Sequence, residues 1–272
     1  MSNPETQIQK IMREMGEVGS MLHAMGAAEG AAGNISCGFR VAPDFAAEFP
    51  VQKVIDMPFA APDMAGFGFL ATGSGCRLRD ILKFPKENVG AWVVNPGGLT
   101  GTYYTAEGVT FTRLTSEFNT HMAFHRGKIL ASNIDINYIV HGHPPKTTFL
   151  SHLERYQNEK YLNEHLFHWE PETLFHFPTG IGMAQFRTPG TMELTEETLR
   201  ALTNHEFVIW ARHGAVSRSA KSFMHAFDMI EYIETAAQYE YFNLTIGEQS
   251  TGIPTPDMLT FAKIAGINQT VY

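Results

Sequence analysis

Alternating helical and strand-type hydrophobic patterns limit the folds open to this chain more than any other feature. Apolar residues recur at three- and four-residue steps from Ile8 to Met25 and again from Phe223 to Ala237, which predicts one amphipathic helix early and one late in the sequence. Between them, short runs rich in β-branched and aromatic residues are bounded by turn residues and predict strands. The chain is therefore predicted to mix α and β structure.

Turn residues and capping residues define further elements in the middle of the chain. The sequence predicts a strand after a turn that ends near residue 33, an irregular excursion at 41–66, and a hairpin with its loop at 96–98. It then predicts a helix capped by Thr115 or Ser116, a strand at 136–143 that stops at Pro144, and a buried strand at 206–219 with His213 at the far end of its apolar run.

Length and composition favour one globular domain over residues 1–272. Hydrophobic residues make up 44% and charged residues 18%, enough apolar surface for a packed core. The formal net charge of -8 argues against nucleic acid or an anionic membrane as the main partner. Two cysteines, no signal-peptide pattern and no long apolar run predict a cytoplasmic protein that does not span a membrane.

Two histidines lie one residue apart in the run "NYIVHGHPP". In a strand, His141 and His143 project to the same face, a geometry that suits one metal ion. With 12 histidines in the chain, such a pair is expected by chance roughly 0.5 times, so the spacing alone decides little. The pair is equally typical of surface histidines or hydrogen-bonded core histidines.

A third histidine supplies the context that the pair lacks. His213 follows "FVIWAR", and a catalytic zinc typically has three protein ligands and one open position. Taken alone, His213 is more typical of a strand-end histidine bonded to the backbone. A rival metal site is offered by Glu117, His121 and His125, which lie at four-residue steps on one helical face without an HExxH pattern.

Several short segments could bind an anion. The glycine turn "TGSG" at 72–75 offers backbone N–H groups and the Ser74 hydroxyl, and the helix that begins near Glu117 offers its N-terminus. Each also has a plain structural interpretation, because glycine turns reverse chains, Gly33-Asn34 is a favoured turn pair, and serine and glutamate stabilise helix starts.

The ordered set "AAGNIS", "TGSG", "TSE", "VHGHP" and "RHG" resembles the class II aldolase and adducin-head family over nearly the whole chain. The resemblance implies an α/β fold of three α/β/α layers with a mostly antiparallel central sheet. It also implies a homotetramer with active sites at subunit interfaces. The implied reaction is a reversible, zinc-dependent aldol cleavage of a phosphorylated ketose.

The resemblance also assigns site residues. His141, His143 and His213 match the ligands of one Zn²⁺ per subunit, Glu117 matches a catalytic base, and Glu172 matches a second glutamate contributed by the adjacent subunit. The residues that match the motifs holding the substrate phosphate are Asn34, Ser74, Gly75, Thr115 and Ser116. Two positions depart from the family pattern: Ala31 replaces an asparagine of close relatives, and Leu114 replaces a common proline.

Other functions remain open at this stage. Within the family, a fuculose-phosphate aldolase or a pentulose-phosphate 4-epimerase uses similar ligands. A non-catalytic adducin-like scaffold is expected to lack ligands that this chain has. A cupin is disfavoured by the long helix predicted near 222–244, and no lysine stands out as a Schiff-base nucleophile.

Overall fold

The computed structural model describes residues 4–272, so Met1 to Asn3 of the predicted domain lie outside it. The described residues form one nine-stranded sheet. Its strands are β1 (Asn34–Phe39), β2 (Val51–Asp56), β3 (Gly68–Thr72), β4 (Val89–Val94), β5 (Thr100–Thr105), β6 (Ile136–Gly142), β7 (Gly182–Ala184), β8 (Phe207–Trp210) and β9 (Gly214–Ser219). The spatial order is β2-β5-β4-β3-β1-β6-β9-β8-β7, and neighbours are antiparallel except for β7 with β8.

Helices cover both faces of this sheet. They are α1 (Gln7–Ala24), α2 (Pro85–Asn88), α3 (Phe118–Ser132), α4 (Pro145–Leu150), α5 (Glu159–Phe167), α6 (Pro171–His176), α7 (Met192–Ala201), α8 (Phe223–Thr245) and α9 (Thr255–Ala265). One core packs α1 and α8 against one face, and two further apolar clusters pack α3 and α7 against the other. The predicted three-layer arrangement with a mostly antiparallel sheet is confirmed.

The two long helices form where the apolar periodicity predicts them. Thr6 and Gln9 make a capping box at the start of α1, and the Ser222 side chain caps α8. Both helices bury their apolar stripes against the same face of the sheet. Among residues 4–272, no helix combines the length and the apolar character that crossing a bilayer requires.

The prediction of an irregular segment at 41–66 is wrong in part, because the segment contains β2. This strand lies at the edge of the sheet, pairs only with β5, and leaves nearly every side chain in solvent. With no face buried, its sequence has no alternation of apolar and polar residues from which a strand could be predicted.

Two further predictions differ from the structure in detail. The N-cap of α3 is Glu117, which makes no side-chain capping bond, whereas Thr115 and Ser116 precede the helix. The single strand predicted at 206–219 is a hairpin of β8 and β9, and His213 lies in its turn. Arg212 takes a left-handed conformation there with φ of 62°, which reverses the chain where the sequence offers no turn signal before Gly214.

Candidate metal centre and active site

Three histidine rings meet where strands in the middle of the sheet end. His141 is the residue before the last in β6, His143 directly follows the strand, and His213 comes from the turn between β8 and β9. One ligand nitrogen from each ring lies within 4.8 Å of the other two, and the ring centroids are 5.0 to 5.2 Å apart. The structure therefore brings together the three imidazoles that the sequence singles out, at a spacing one metal ion could bridge.

Strand pairing and a glycine create this convergence. His141 lies opposite Val216 in the antiparallel pairing of β6 with β9, which sets the turn of the β8–β9 hairpin beside the end of β6. Gly214 then packs directly on that end. A Cβ atom at Gly214 would lie 2.5 Å from the Gly142 carbonyl oxygen and 2.8 Å from Cδ2 of His143, so any larger residue would push the ring away.

Hydrogen bonds fix two of the rings. Nδ1 of His141 lies 2.9 Å from the Ala215 carbonyl oxygen, which can only accept, so Nδ1 carries the proton and Nε2 is free. Nδ1 of His143 lies 2.8 Å from Oε1 of Glu29, which orients that ring in the same way. Such outer contacts are typical of metal-binding histidines.

The site keeps two of its imidazoles neutral. Burial and then the neighbouring His143 lower the pKa of His141 well below its ordinary value. Burial, followed by His141, lowers the pKa of His213 to about 3. Neutral imidazole is the form that binds a metal ion. The Trp210 ring stacks on His213, packs at a tilt against His141, and forms an apolar wall beside both rings.

Glu117 is the carboxylate beside the three rings. Its Oε2 accepts a hydrogen bond of 2.7 Å from Nδ2 of Asn34 and lies 3.5 Å from Nε2 of His141, while Oε1 lies 3.6 Å from Nε2 of His213. The side chain is almost completely buried. Burial raises the pKa of Glu117, and the charges of His213 and the bond from Asn34 oppose this rise.

A cavity of about 160 Å³ opens onto these groups. The predicted phosphate-binding residues all line it together with Glu117 and the three histidines: Asn34, Ser74, Gly75, Thr115 and Ser116. Among the described residues, no backbone hydrogen bond uses the amides of Gly75 and Ser116, which leaves two N–H groups for an anion. Proximity does not test the individual roles, which stay predictions.

The positions that depart from the family pattern fall in different places. Ala31 lines the same cavity, where its methyl group offers no polar contact. Leu114 is buried in the apolar cluster below α3, away from the metal-binding rings.

The second predicted glutamate and the two histidines of the rival metal site lie outside this cavity. Glu172 is in the first turn of α6, exposed, and is absent from the residues that line the cavity. His121 and His125 do not join Glu117 around a common point, because both rings bond to Ser36 in the interior. Among residues 4–272, the grouping at His141, His143 and His213 is the one metal-compatible set of three or more such side chains.

The sequence does not predict one residue of the site. Glu29, which bonds to His143, lies in a turn and 114 positions away from its partner in the sequence, so no local pattern marks it.

Comparisons with known proteins agree with this geometry. Residues 13–241 match the family described as class II aldolase and adducin N-terminal domain. The chain is 26% identical over 251 residues to a rhamnulose-1-phosphate aldolase of Bacteroides thetaiotaomicron, covering 92% of this chain and 91% of that protein. It is 28% identical over 211 residues to a rhamnulose-1-phosphate aldolase of Yersinia pestis, covering 77% and 76%.

A solved structure is also similar. The sugar-phosphate aldolase of Thermotoga maritima superposes with a TM-score of 0.76 at 28% identity, covering 91% of this chain and 100% of that one.

Proposed function

The chain belongs to the class II aldolase and adducin family, and we propose that this lyase cleaves L-rhamnulose 1-phosphate reversibly to dihydroxyacetone phosphate and L-lactaldehyde. The observation that carries the proposal is the meeting of three imidazoles and one buried carboxylate at a single cavity. The substrate is inferred from relatives named rhamnulose-1-phosphate aldolase that align over most of both chains.

The histidine cluster fits the Zn²⁺ ion of the proposal, one per subunit. His141, His143 and His213 would hold it, since their nitrogens are close enough and two of the rings are oriented by their Nδ1 bonds. When bound, the ion supplies a positive charge, undiminished by its neutral ligands, that stabilises negative charge developing on substrate oxygen. None of the described residues that line the cavity is a lysine, so the cavity itself offers no Schiff-base nucleophile.

Glu117 is the proposed proton carrier at the nucleophilic carbon. In cleavage, the carboxylic acid gives its proton to the carbon of the departing dihydroxyacetone phosphate half; in synthesis, the carboxylate removes it. The hydrogen bond from Asn34 holds Oε2, and none of residues 4–272 donates a hydrogen bond to Oε1, so Oε1 is the oxygen that would reach substrate. Burial raises the pKa of Glu117, a shift in the direction that favours proton transfer to carbon in cleavage.

The remaining predicted residues bind the two ends of the substrate. The Ser74 and Ser116 hydroxyls, with the Gly75 and Ser116 amides, would hold the phosphate, since no lysine or arginine is among the described residues that line the cavity. Glu172 is exposed and outside its own cavity, which is compatible with a role in the site of a neighbouring copy, where it would position or protonate the aldehyde half. The proposal therefore includes a homotetramer, and it places the enzyme in the cytoplasm.

The test pairs metal analysis with product detection. Purified protein should contain about one zinc per subunit and release dihydroxyacetone phosphate from L-rhamnulose 1-phosphate. His213→Ala should lose both metal and turnover because two ligands are too few to retain the ion. The control is His152→Ala, at an exposed histidine outside the cavity, which should retain both. Metal-free protein that cleaves at the wild-type rate would refute the zinc mechanism.

Other phosphorylated ketoses are the alternative substrates. The similar structure from Thermotoga maritima is described only as a sugar-phosphate aldolase, and the same site chemistry serves other phosphorylated ketoses. Parallel assays with L-fuculose 1-phosphate and a pentulose 5-phosphate separate the alternatives. Faster turnover of either one would replace the proposed substrate while leaving the metal site intact.

A further inference from the structure

A buried hydrogen-bond network lies behind the active site. The Ser36 hydroxyl is 2.6 Å from Nδ1 of His121 and 2.7 Å from Nε2 of His125, and Nδ2 of Asn137 is 3.0 Å from Nδ1 of His125. All four side chains have no exposed surface. We call these residues the Ser36 network. Buried polar groups of this kind are rare unless each has a partner, so four on three different elements need an explanation.

The network has a defined direction. The Asn137 amide donates to Nδ1 of His125, so the proton of that ring is on Nε2 and is donated to Oγ of Ser36. The one hydroxyl proton of Ser36 is then donated to Nδ1 of His121. Each link therefore depends on the one before it, and burial keeps both rings neutral by lowering the pKa of each to about 3.

The backbone is shaped to accept His125. A Cβ atom at Gly38 of β1 would lie 2.5 Å from Cγ of His125, so the ring rests on a stretch of strand that has no side chain. On its other side the ring packs near Phe69, with 5.6 Å between centroids. The narrow space above Gly38 therefore accommodates a planar side chain, and the hydrogen bonds require that this planar ring be an imidazole.

The same three elements carry the residues of the active site. Ser36 follows Asn34 by two positions on β1, His121 follows Glu117 by one helical turn on α3, and Asn137 lies on β6 in line with His141. Since β1 and β6 are neighbours, with Asn34 directly opposite His141, placing α3 against them brings Glu117 to this pair.

We propose that the Ser36 network is a positioning device that fixes α3 on β1 and β6, and so holds the Glu117 carboxylate between Asn34 and the metal-binding imidazoles. Apolar packing can hold a helix on a sheet, but it restrains sliding along the helix axis weakly. Directional bonds from one serine to two successive turns of α3 restrain it in that direction. The inference rests on the proposed role of Glu117 as proton carrier.

Shape-conserving variants test the network. Ser36→Ala leaves both imidazoles without their shared partner, so we expect a lower melting temperature and a kcat reduced about 10-fold or more, because small misplacement of a catalytic group has large effects on rate. The KM should change less than about threefold and the zinc content should stay the same, since neither the phosphate contacts nor the ligands are altered.

A second variant separates positioning from stability. In Ser36→Ala/His121→Phe/His125→Phe the serine and both rings become apolar, and only the Asn137 amide loses a partner, which should restore part of the melting temperature that Ser36→Ala loses. The kcat should remain low. The control is Ser217→Ala, another buried strand serine, whose hydroxyl donates to the Ala226 carbonyl at 2.6 Å and makes no hydrogen bond to α3 among the described residues. It should lose stability while keeping kcat.

Wild-type kcat in the triple variant would overturn the proposal, and so would equal loss of kcat in the Ser217→Ala control. A crystal structure of the triple variant gives a result that does not depend on the substrate. We expect the Glu117 carboxylate to move by about 0.5 Å or more relative to Asn34 and His141. If Glu117 keeps its 2.7 Å bond to Asn34, the positioning role is refuted. If wild-type protein cleaves none of the ketose phosphates, the proposed function fails, while this structure still decides the role of the network.

Discussion

Acid should destabilise this protein through two histidines that never contact the substrate. His121 and His125 are fully buried, and burial lowers the pKa of each to about 3, against an ordinary value of 6.5. In the unfolded chain both rings take up a proton below pH 6.5, while in the folded protein they do not. The unfolded state therefore binds more protons between pH 6.5 and pH 3, and the free energy of unfolding falls as the pH falls through this window.

The magnitude follows from the two pKa values. Lowering the pH from 7.5 to 5.5 should reduce the free energy of unfolding by about 1.4 kcal/mol for each ring, and so by about 2.7 kcal/mol for the pair. Other titrating groups contribute to the measured pH dependence as well. The contribution of those groups is removed by comparing wild type with the Ser36→Ala/His121→Phe/His125→Phe variant, which lacks these two rings and keeps every other titrating side chain.

Urea unfolding at several pH values is the assay. The pH dependence of the triple variant should be smaller than that of wild type by about 2.7 kcal/mol over this range. A matching difference in proton uptake, about 1.8 protons at pH 5.5, should appear on unfolding the wild type in weakly buffered solution. Parallel curves for the two proteins would refute the reasoning, because they would mean that the rings titrate alike in the folded and unfolded states.

Three further predictions concern the active site. Gly214→Ala should abolish metal retention, because the added Cβ atom displaces His143. The control is Gly127→Ala in α3, which has open space around its Cβ position and should keep metal and activity. Zinc found in Gly214→Ala by elemental analysis would contradict the packing argument. Glu117→Gln should lower kcat about 100-fold or more with zinc still bound, and an unchanged rate of dihydroxyacetone phosphate release would remove Glu117 from the mechanism. Glu29→Gln should weaken zinc affinity about 10-fold in a chelator competition, because His143 loses a charged partner; equal affinity would show that the bond does not matter.

Periodicity and capping residues predicted much of the fold. The apolar stripes of α1 and α8 repeat over several turns, and each helix has a polar cap at its start, so local sequence suffices to define them. The order of the layers and the antiparallel sheet were predicted from the family resemblance, which depends on motifs spread along the chain. Both are confirmed by the sheet order and the helices on its two faces.

The misses share a physical cause. Nothing in β2 is buried, so no hydrophobic pattern marks it. The turn after β8 places Arg212 in a left-handed conformation, which is usually adopted by glycine or asparagine, so the sequence does not predict a turn there. The sequence predicts the start of α3 one or two residues early, because Thr115 and Ser116 are typical caps; the Thr115 hydroxyl instead accepts from the N–H of Glu117, which is itself the N-cap. Glu29 and Ser36 act through partners far away in sequence, and such contacts become visible only when the strands are paired.

Pairing of β6 with β9, which brings His213 beside His141 and His143, has a consequence for the lifetime of the protein. A denatured chain keeps only the neighbouring pair of imidazoles, so it competes poorly for a cation that three rings would hold in the native sheet. A free ion at a thousand times its dissociation constant would then add about 4.1 kcal/mol to the resistance against unfolding. Cellular trace-element supply would thereby govern how long each molecule survives proteolysis, in addition to whether it turns over substrate.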